Sequence, residues 1–465
     1  MLRLFRSEGI EASLKEVWDV SRVVRITVGL TQGLFLYTYG VFFYDHFGSN
    51  KTAFYLTVAL IVFTDLCIFL TEVPTGAIGD HIGRKKTVIV SFLLQALSYF
   101  LNIIIFFTPS IAGSFCMGLL SAVAYSLSFT FFSGTFIAWI VDSTKERGSQ
   151  DGHASILARS FKYLYFAQIL GAAVGLSLYL SDYMAYAFFL GCVACIVCAL
   201  YCVLYMQESA SLKFYSGKFM VDDSIKRMRE IIVTGGKVIL GMPPLIYLSL
   251  IQTVVLVLLN VINYLWPISM KANYGVGKMT PYWFFIVFSS LGAALFGSRL
   301  LEWINRGIAK KGGGHLFNVV LWSWFALVSL FVAVSVATLG LGKVYGHMSL
   351  AFFVVTIMLC HFGQGFLMPA YNILLNNYIP LEKSQERATV MSFSSMFTSL
   401  VMIFLMFPSS GPSGEDTPMG WIIPSIIAIA VVLVLHPLMR RYQRNTGEIP
   451  EKVSDVWGSV ANKSD

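Results

Sequence analysis

The sequence predicts an all-α integral membrane protein with twelve transmembrane helices in two pseudo-symmetric six-helix bundles. Three observations lead to this fold class. First, 56% of the 465 residues are hydrophobic and 12% are charged, whereas an ordinary soluble domain has about 25% charged residues. Second, apolar runs of about 20 residues, long enough to cross a bilayer, recur along the whole chain. Third, the polar connections of the two halves resemble each other, as repeated helix bundles would require.

Each apolar run should be helical, because lipid offers the backbone no hydrogen-bond partner. The twelve predicted spans lie near 23–47, 52–78, 87–108, 111–141, 160–181, 184–206, 242–270, 281–303, 316–339, 349–378, 389–408 and 420–439. The predicted organisation is an N-terminal interfacial segment 1–22, a first bundle 23–206, a linker 207–241, a second bundle 242–439 and a tail 440–465.

The linker is predicted to contain an amphipathic helix, in "FMVDDSIKRMREIIV". Val221, Ile225, Met228 and Ile232 recur at helical spacing and form one apolar face. Such a helix is expected to lie on the membrane surface and to connect the two bundles. A calmodulin-binding helix is the alternative, although its mixed charge argues against it.

The distribution of basic residues predicts the orientation in the membrane. If both termini lie on one side, only Lys51, Lys271, Lys278 and Lys343 of the 33 Lys and Arg residues lie on the other. Basic loops stay in the cytoplasm, so we expect both termini to be cytoplasmic and the membrane to be an inner or plasma membrane. The net charge of +8 then reflects topology and contact with anionic lipids rather than binding to nucleic acid.

The connection after the second span, "GAIGDHIGRKK", combines glycines with charges. Gly76 and Gly79 would allow another helix backbone to approach closely, and Gly83 would permit a tight reversal. Asp80 and Arg84 are one helical turn apart and could pair, with each other or with a neighbouring helix terminus. An ion pair that forms in one conformation and separates in another suits a gate. An ordinary basic loop is the alternative. After span eight, Glu302 and Arg306 repeat the same spacing.

This stretch resembles the loop 2–3 signature of the major facilitator superfamily, G-x-L-A-D-R-x-G-R-K, with His81 where the family commonly has Arg. The preceding "EVPTG" and the span-four "SGTFIAWIVD" resemble bacterial members grouped with drug–proton antiporters. The resemblance implies a cytoplasmic gate in which Asp80, Arg84 and Asp142 bind one another and the start of span eleven, near Thr389.

Acidic residues within the apolar segments indicate a proton-coupling site. Asp65 lies at the centre of the second span, where an unpaired carboxylate costs at least about 2.5–3.5 kcal/mol. Glu72 shares its helical stripe. Desolvation favours the neutral form of such a group, so that it could take up and release a proton near neutral pH. His361 is the second candidate, since an ordinary histidine titrates near about pH 6.5. The alternatives for the acids are a structural hydrogen bond or a counter-ion for a cationic substrate.

In the resembled family, spans one, four, seven and ten line the substrate cavity. By that resemblance the candidate substrate-binding residues are Gln32, Tyr37, Asn260, Asn263, Gln364 and Asn372. Amides in membrane helices also often bond only to adjacent helices, which is the alternative for each of them.

Cofactors and metals are not expected. Cys192, Cys195, Cys198 and Cys202 have the spacing of an iron–sulfur ligand run. They fall on one stripe of an apolar helix, however, and cluster ligands normally come from a loop. The chain also has no phosphate-binding glycine loop that would indicate ATP hydrolysis.

The sequence therefore predicts a secondary active transporter, not an enzyme, that moves a small organic solute by alternating access. Efflux in exchange for protons is favoured. A proton-coupled importer of a nutrient or iron chelator, a lipid flippase, and a non-transporting receptor or scaffold on a transporter fold are the alternatives. We expect contact with lipids and a monomeric state.

Overall fold

The computed structural model describes residues 12–148, 152–208 and 280–309, with short stretches elsewhere between 233 and 441. The chain divides into two compact units, Met1–Met228 and Arg229–Asp465. The division falls inside the segment 207–241 that the sequence indicates as a linker.

The longer described helices follow the apolar runs. They are α1 (Lys15–Leu36), α2 (Tyr39–His46), α3 (Lys51–Ile82), α4 (Arg84–Ile105), α5 (Ile111–Glu146), α6 (Gly152–Leu180), α7 (Met184–Tyr205) and α8 (Thr280–Ala309). A 3₁₀ turn, Ala12–Leu14, precedes α1. Within the described part of the chain, six segments are long and apolar enough to cross a membrane: Lys15–His46, Lys51–Glu72, Arg84–Ile105, Ile111–Thr144, Tyr163–Leu180 and Met184–Tyr205.

These six segments correspond to the six spans predicted between residues 23 and 206, with two differences. The first helix begins at Lys15, so residues 15–22 continue it, and Val17, Trp18 and Val20 on that turn are buried. The first span is also interrupted between α1 and α2, at Tyr37 and Thr38. There the Thr38 N–H donates to the Phe35 carbonyl oxygen at 3.2 Å, and its hydroxyl donates to the Leu34 carbonyl oxygen at 3.0 Å. The hydroxyl thus takes over a carbonyl that the regular helix ladder would use.

Within the first unit, α1 packs against α6, while α4 packs against α5 and α7 and α3 packs against α5. The helices α1 and α6 cross through glycines on both sides. A Cβ atom on Gly29 or Gly33 would collide with the backbone of α6, and one on Gly171 or Gly175 would collide with the backbone of α1. The crossing therefore has the backbone-to-backbone proximity that small residues allow in membranes.

The surface of the first unit is apolar, as lipid requires. On α7, Val197, Leu200 and Leu204 are 59%, 58% and 73% exposed, whereas Cys198 and Cys202 face inward and are buried. An outward face of this composition is unfavourable in water and favourable in hydrocarbon. The cysteine stripe is therefore part of the helix packing, and all four of its cysteines are free thiols.

The six segments alternate in direction, so the unit has two ends. The basic end comprises the α3–α4 turn, the residues after α5 and the residues after α7. The opposite end comprises the α2–α3 turn, residues 106–110 and residues 181–183.

Candidate functional site

The α3–α4 turn at the basic end depends on one glycine. Gly83 has φ +98°, a backbone conformation that L side chains rarely adopt, and it both ends α3 and precedes α4. Its N–H donates to the Gly79 carbonyl oxygen at 3.1 Å. A Cβ atom at Gly83 would lie 2.6 Å from a carboxylate oxygen of Glu208. Both the backbone conformation and the neighbouring side chain thus require glycine here.

The two glycines earlier on α3 differ from each other. A Cβ atom at Gly79 would lie 3.2 Å from the Thr135 hydroxyl oxygen and 3.3 Å from a methyl carbon of Thr87. At Gly76 a Cβ atom would meet nothing within 4 Å among the described residues, and this position is exposed. The close helix approach expected at Gly76 is therefore not found there, and at Gly79 the neighbouring groups are side chains.

An ion pair joins the start of α4 to the end of α5. The Arg84 Nε atom lies 3.1 Å from Asp142 Oδ2, and the two side chains are 18% and 27% exposed. The resemblance implied this pair, and the structure brings the two residues together. The other expected members of the gate, the side chain of Asp80 and the region of Thr389, lie outside the described residues.

Glu208, which sequence reasoning missed, is the residue that organises this end. Its carboxylate accepts a hydrogen bond from the Arg84 N–H at 2.8 Å and another from the Lys85 N–H at 3.1 Å. These N–H groups belong to the first turn of α4 and have no partner within that helix. A negative charge at a helix N-terminus is also favoured by the helix dipole. The carboxylate therefore caps α4 from a position just after α7.

Further contacts bind the same end together. The Lys85 Nζ atom donates to the Val203 carbonyl oxygen at 2.8 Å, in the last turn of α7. Arg147 Nη2 donates to Glu16 Oε2 at 2.7 Å, and its Nη1 atom donates to the Ser13 carbonyl oxygen at 2.9 Å. The buried Trp139 donates to the Gln207 carbonyl oxygen at 2.7 Å. Helices α1, α4, α5 and α7 are thus joined by polar contacts at their basic ends.

Asp65 is a half-buried residue of α3, about 21 Å along the helix axis from Lys51 at a rise of about 1.5 Å per residue. Its Oδ2 atom is buried and has no hydrogen-bond partner among the described residues. The facing part of α5 is fixed by the Ser126 hydroxyl, which donates to the Thr64 carbonyl oxygen at 3.0 Å. A buried polar atom without a hydrogen-bond partner costs free energy.

The other predicted titrating residues have different surroundings. Glu72 is half-buried on α3, and the helix continues through Pro74 to Ile82. His361 is 4% exposed, and its Nδ1 atom lies 2.9 Å from the Ile357 carbonyl oxygen. Asp65 and Glu72 belong to the first unit and His361 to the second.

The predicted substrate residues are only partly described. Gln32 is exposed on α1, whereas Tyr37 is 3% exposed at the break between α1 and α2. In this conformation the Tyr37 side chain is therefore packed within the first unit. Asn260 is half-buried. Asn263, Gln364 and Asn372 lie outside the described residues.

Comparison with known proteins places this architecture in a family. Residues 23–406 match the family model of the Major Facilitator Superfamily. A comparison with curated proteins gives no match.

Solved structures with the same fold are transporters. A peptide transporter POT in complex with sulfate has a TM-score of 0.66 and 14% identity, over 94% of this chain and 96% of that chain. A D-xylose-proton symporter has a TM-score of 0.64 and 11% identity, over 91% and 97%. The human organic anion transporter MFSD10 (TETRAN) has a TM-score of 0.60 and 14% identity, over 91% and 100%.

The family match and these neighbours confirm the predicted fold class, an all-α integral membrane protein of two six-helix bundles with a transporter fold rather than that of an enzyme. The chain belongs to the major facilitator superfamily.

Proposed function

We propose that this protein is a proton-coupled secondary transporter of a small organic solute and that Asp65 carries the coupling proton. The observation that supports the proposal most directly is the buried Oδ2 atom of Asp65, which no described group stabilises. Ionisable groups inside membrane helices are costly and usually mark a pathway for ions or substrate. A carboxyl group with such surroundings can gain and lose a proton as its exposure changes during alternating access.

The basic end serves as the gate in this proposal. The Arg84–Asp142 ion pair, with Asp80 of the same signature, would hold this end closed in one state and separate in the other. Gly83 forms the turn that carries the signature, and Gly76 precedes it on α3. Glu72 and His361 remain secondary proton carriers. The solute would contact Gln32, Asn260 and the amides Asn263, Gln364 and Asn372.

We infer that the membrane is the bacterial inner membrane and that the basic end is cytoplasmic, since the positive-inside rule assigns that side. Efflux in exchange for protons is the proposed direction, because the "EVPTG" and "SGTFIAWIVD" stretches resemble drug–proton antiporters. Proton-driven uptake is the second candidate, favoured by the fold that the chain shares with a D-xylose-proton symporter.

The test begins with the ligand. Purified full-length protein is screened by thermal shift against dipeptides, nucleosides, D-xylose, organic anions and organic cations, because a ligand that binds the folded state raises its apparent stability. Each hit is then added to protein in weakly buffered detergent while the proton concentration is recorded. A transporter that exchanges solute for protons should release protons when the solute binds. A transporter that takes up solute together with protons should instead bind protons.

The matched variants are Asp65→Asn and Asp19→Asn, since Asp19 is a carboxylate near the surface that pairs with Arg22 at 3.2 Å. Asp65→Asn should abolish the proton signal, and Asp19→Asn should preserve it. If Asp65→Asn still releases or binds as many protons as the parent protein, Asp65 is not the carrier. If no solute moves protons but a protein partner binds the 207–241 segment, the receptor alternative replaces transport.

A further inference from the structure

The contact between α3 and α5 contains a row of hydroxyl groups beside Asp65. We call it the hydroxyl seam, and its members are Thr64 and Thr71 on α3 and Ser126 and Thr130 on α5. Both helices run from the opposite end of the unit to the basic end, and they pack against each other. The Thr71 and Thr130 hydroxyl oxygens are 3.3 Å apart, and the Ser126 hydroxyl reaches the Thr64 carbonyl oxygen. The hydroxyl seam therefore passes the level of the acid.

Most of these hydroxyls bond within their own helix. Thr64, Thr71 and Thr130 each donate to the carbonyl oxygen four residues earlier, at 2.8, 2.7 and 3.0 Å. A bond of this kind is local, so it does not depend on where the neighbouring helix lies. The contact between Thr71 and Thr130 thus joins two oxygens whose protons are already donated elsewhere. These three hydroxyls do not fix α3 against α5.

Ser126 is the member of the hydroxyl seam whose proton crosses between the helices. Its hydroxyl donates to the Thr64 carbonyl oxygen at 3.0 Å, and the residue is 0% exposed. A buried hydrogen bond has no water at hand to replace it, so its loss leaves a group unsatisfied or lets the helices shift. Because Thr64 directly precedes Asp65, the bond holds the α3 backbone one residue from the acid.

The position of the Asp65 carboxyl group depends on this backbone. Successive residues of an α-helix are rotated by about 100°, so the Asp65 side chain leaves α3 on the flank of the hydroxyl seam. The residue is half-buried, and its Oδ2 atom is buried without a hydrogen-bond partner among the described residues. No described hydrogen bond of its own therefore holds that atom in place. A rotation of α3 about its axis would move it to other surroundings.

We propose that Ser126 is a positioning residue for the proton step, because its hydroxyl holds α3 against α5 and so keeps the Asp65 carboxyl group in its present surroundings. The inference rests on the proposed function, in which Asp65 carries the coupling proton. Ser126 gives up no proton in this role, since its partner is a peptide carbonyl. At the basic end, Arg84, which follows the α3–α4 turn, pairs with Asp142 of α5, and this pair separates in the proposed cycle. Ser126 holds the level of the acid while that end opens.

The test reads the surroundings of Asp65 directly and needs no solute. Infrared difference spectra of the full-length protein in liposomes are recorded between alkaline and acidic buffer. The carboxylic acid C=O band of Asp65 is identified by its loss in Asp65→Asn. The frequency of such a band depends on the polarity and hydrogen bonding around the carboxyl group. Ser126→Ala should shift the Asp65 band, because α3 is no longer held beside it.

Ser121→Ala is the matched control. Ser121 also lies on α5, is 0% exposed and donates to a helix carbonyl, that of Ser98 on α4, at 3.1 Å. The two variants remove the same group from the same helix, so both should lose similar stability in thermal unfolding. Only Ser126→Ala should move the Asp65 band. Ser126→Cys keeps the size of the side chain and a weak donor, so it should shift the band less, and it provides the measurement if Ser126→Ala does not fold.

A second measurement uses a solute found by the thermal-shift screen. Ser126→Ala should bind this solute with the affinity of the parent protein. Its proton signal per bound solute should nevertheless fall several-fold, because the loss of one hydrogen bond changes an equilibrium by about that factor. Ser121→Ala should keep both the affinity and the proton signal. A purely structural role of Ser126 would lower the two together.

The outcomes separate the two proposals. An Asp65 band at the parent frequency in both Ser126 variants, or an equal shift in Ser121→Ala, would overturn the positioning role and leave Asp65 as the carrier. A parent protein without an Asp65 band that responds to pH would overturn both proposals.

Discussion

The carboxylate of Glu208 accepts hydrogen bonds from two backbone N–H groups more than a hundred residues away in sequence. Its position after the sixth span carries no recognisable motif, so the sequence indicated only another charge at the basic end. The residues of the resembled signature were easier to find, because Gly83 and Arg84 have fixed spacing. The spacing does not predict that Glu208 binds the backbone N–H of Arg84. The side chain of Arg84 meanwhile pairs with Asp142.

Replacement of Glu208 should therefore weaken the first unit. We expect Glu208→Ala to lower the free energy of unfolding by about 1 kcal/mol, the usual cost of a lost helix N-cap. Glu208→Gln should cost less, because the amide oxygen still accepts a hydrogen bond although the favourable interaction with the helix dipole is lost. Thermal unfolding of the purified protein is the measurement.

The control for this prediction is Lys86→Ala, which removes an exposed charge two residues into the same helix. It should change the stability little, as surface substitutions usually do. Equal effects of Glu208→Ala and Lys86→Ala would mean that the carboxylate cap contributes nothing.

At the scale of elements, the most constrained contact is the crossing of α1 and α6. Gly29 and Gly33 face the α6 backbone, and Gly171 and Gly175 face the α1 backbone. Each pair is spaced by four residues, so the pattern is visible in the sequence. Which helix each pair meets is not visible, because small residues serve equally well against any neighbour. The break between α1 and α2 was likewise not anticipated, since the residues at the break, Tyr37 and Thr38, are neither proline nor glycine.

An alanine at Gly171 should destabilise the protein by at least about 1–3 kcal/mol, the usual cost of overpacking a tight contact. The added methyl group would meet backbone atoms of Leu30, which cannot move aside as a flexible side chain can. The measurement is the unfolding temperature in detergent, together with the fraction of protein that elutes as a single species.

Gly76→Ala is the matched control, because this glycine also lies inside a helix but has no group within 4 Å among the described residues. Alanine has the higher helix propensity, so this variant should be neutral or stabilising by up to about 1 kcal/mol. A loss of stability in Gly171→Ala without a loss in Gly76→Ala would support the close contact between α1 and α6. A Gly171→Ala protein as stable as the parent would contradict it.

At the scale of the whole molecule, the asymmetry of charge should determine which end faces the cytoplasm. We expect the basic end on the cytoplasmic side because lysine and arginine are retained there during insertion. Starting from a protein without cysteines, Lys51→Cys tests the opposite end and Lys86→Cys the basic end, and both positions are exposed. A membrane-impermeant maleimide added to intact cells should label only Lys51→Cys. Labelling of Lys86→Cys in intact cells would reverse the proposed orientation.

The sequence by itself determined that lipid surrounds this protein, where the six spans of the first unit lie, that the chain reverses at Gly83 and that Asp65 lies within a span. These properties follow from local composition and short spacings, because each span meets the bilayer independently of the others. Only the tertiary structure decided that Glu208 caps α4, that Tyr37 is buried and that Gly29 and Gly33 meet the backbone of α6. Such contacts depend on which helices become neighbours and on how they are rotated. Lipid surrounds every span alike, so hydrophobicity cannot specify that choice, and the shape and polarity of the packed faces must do so.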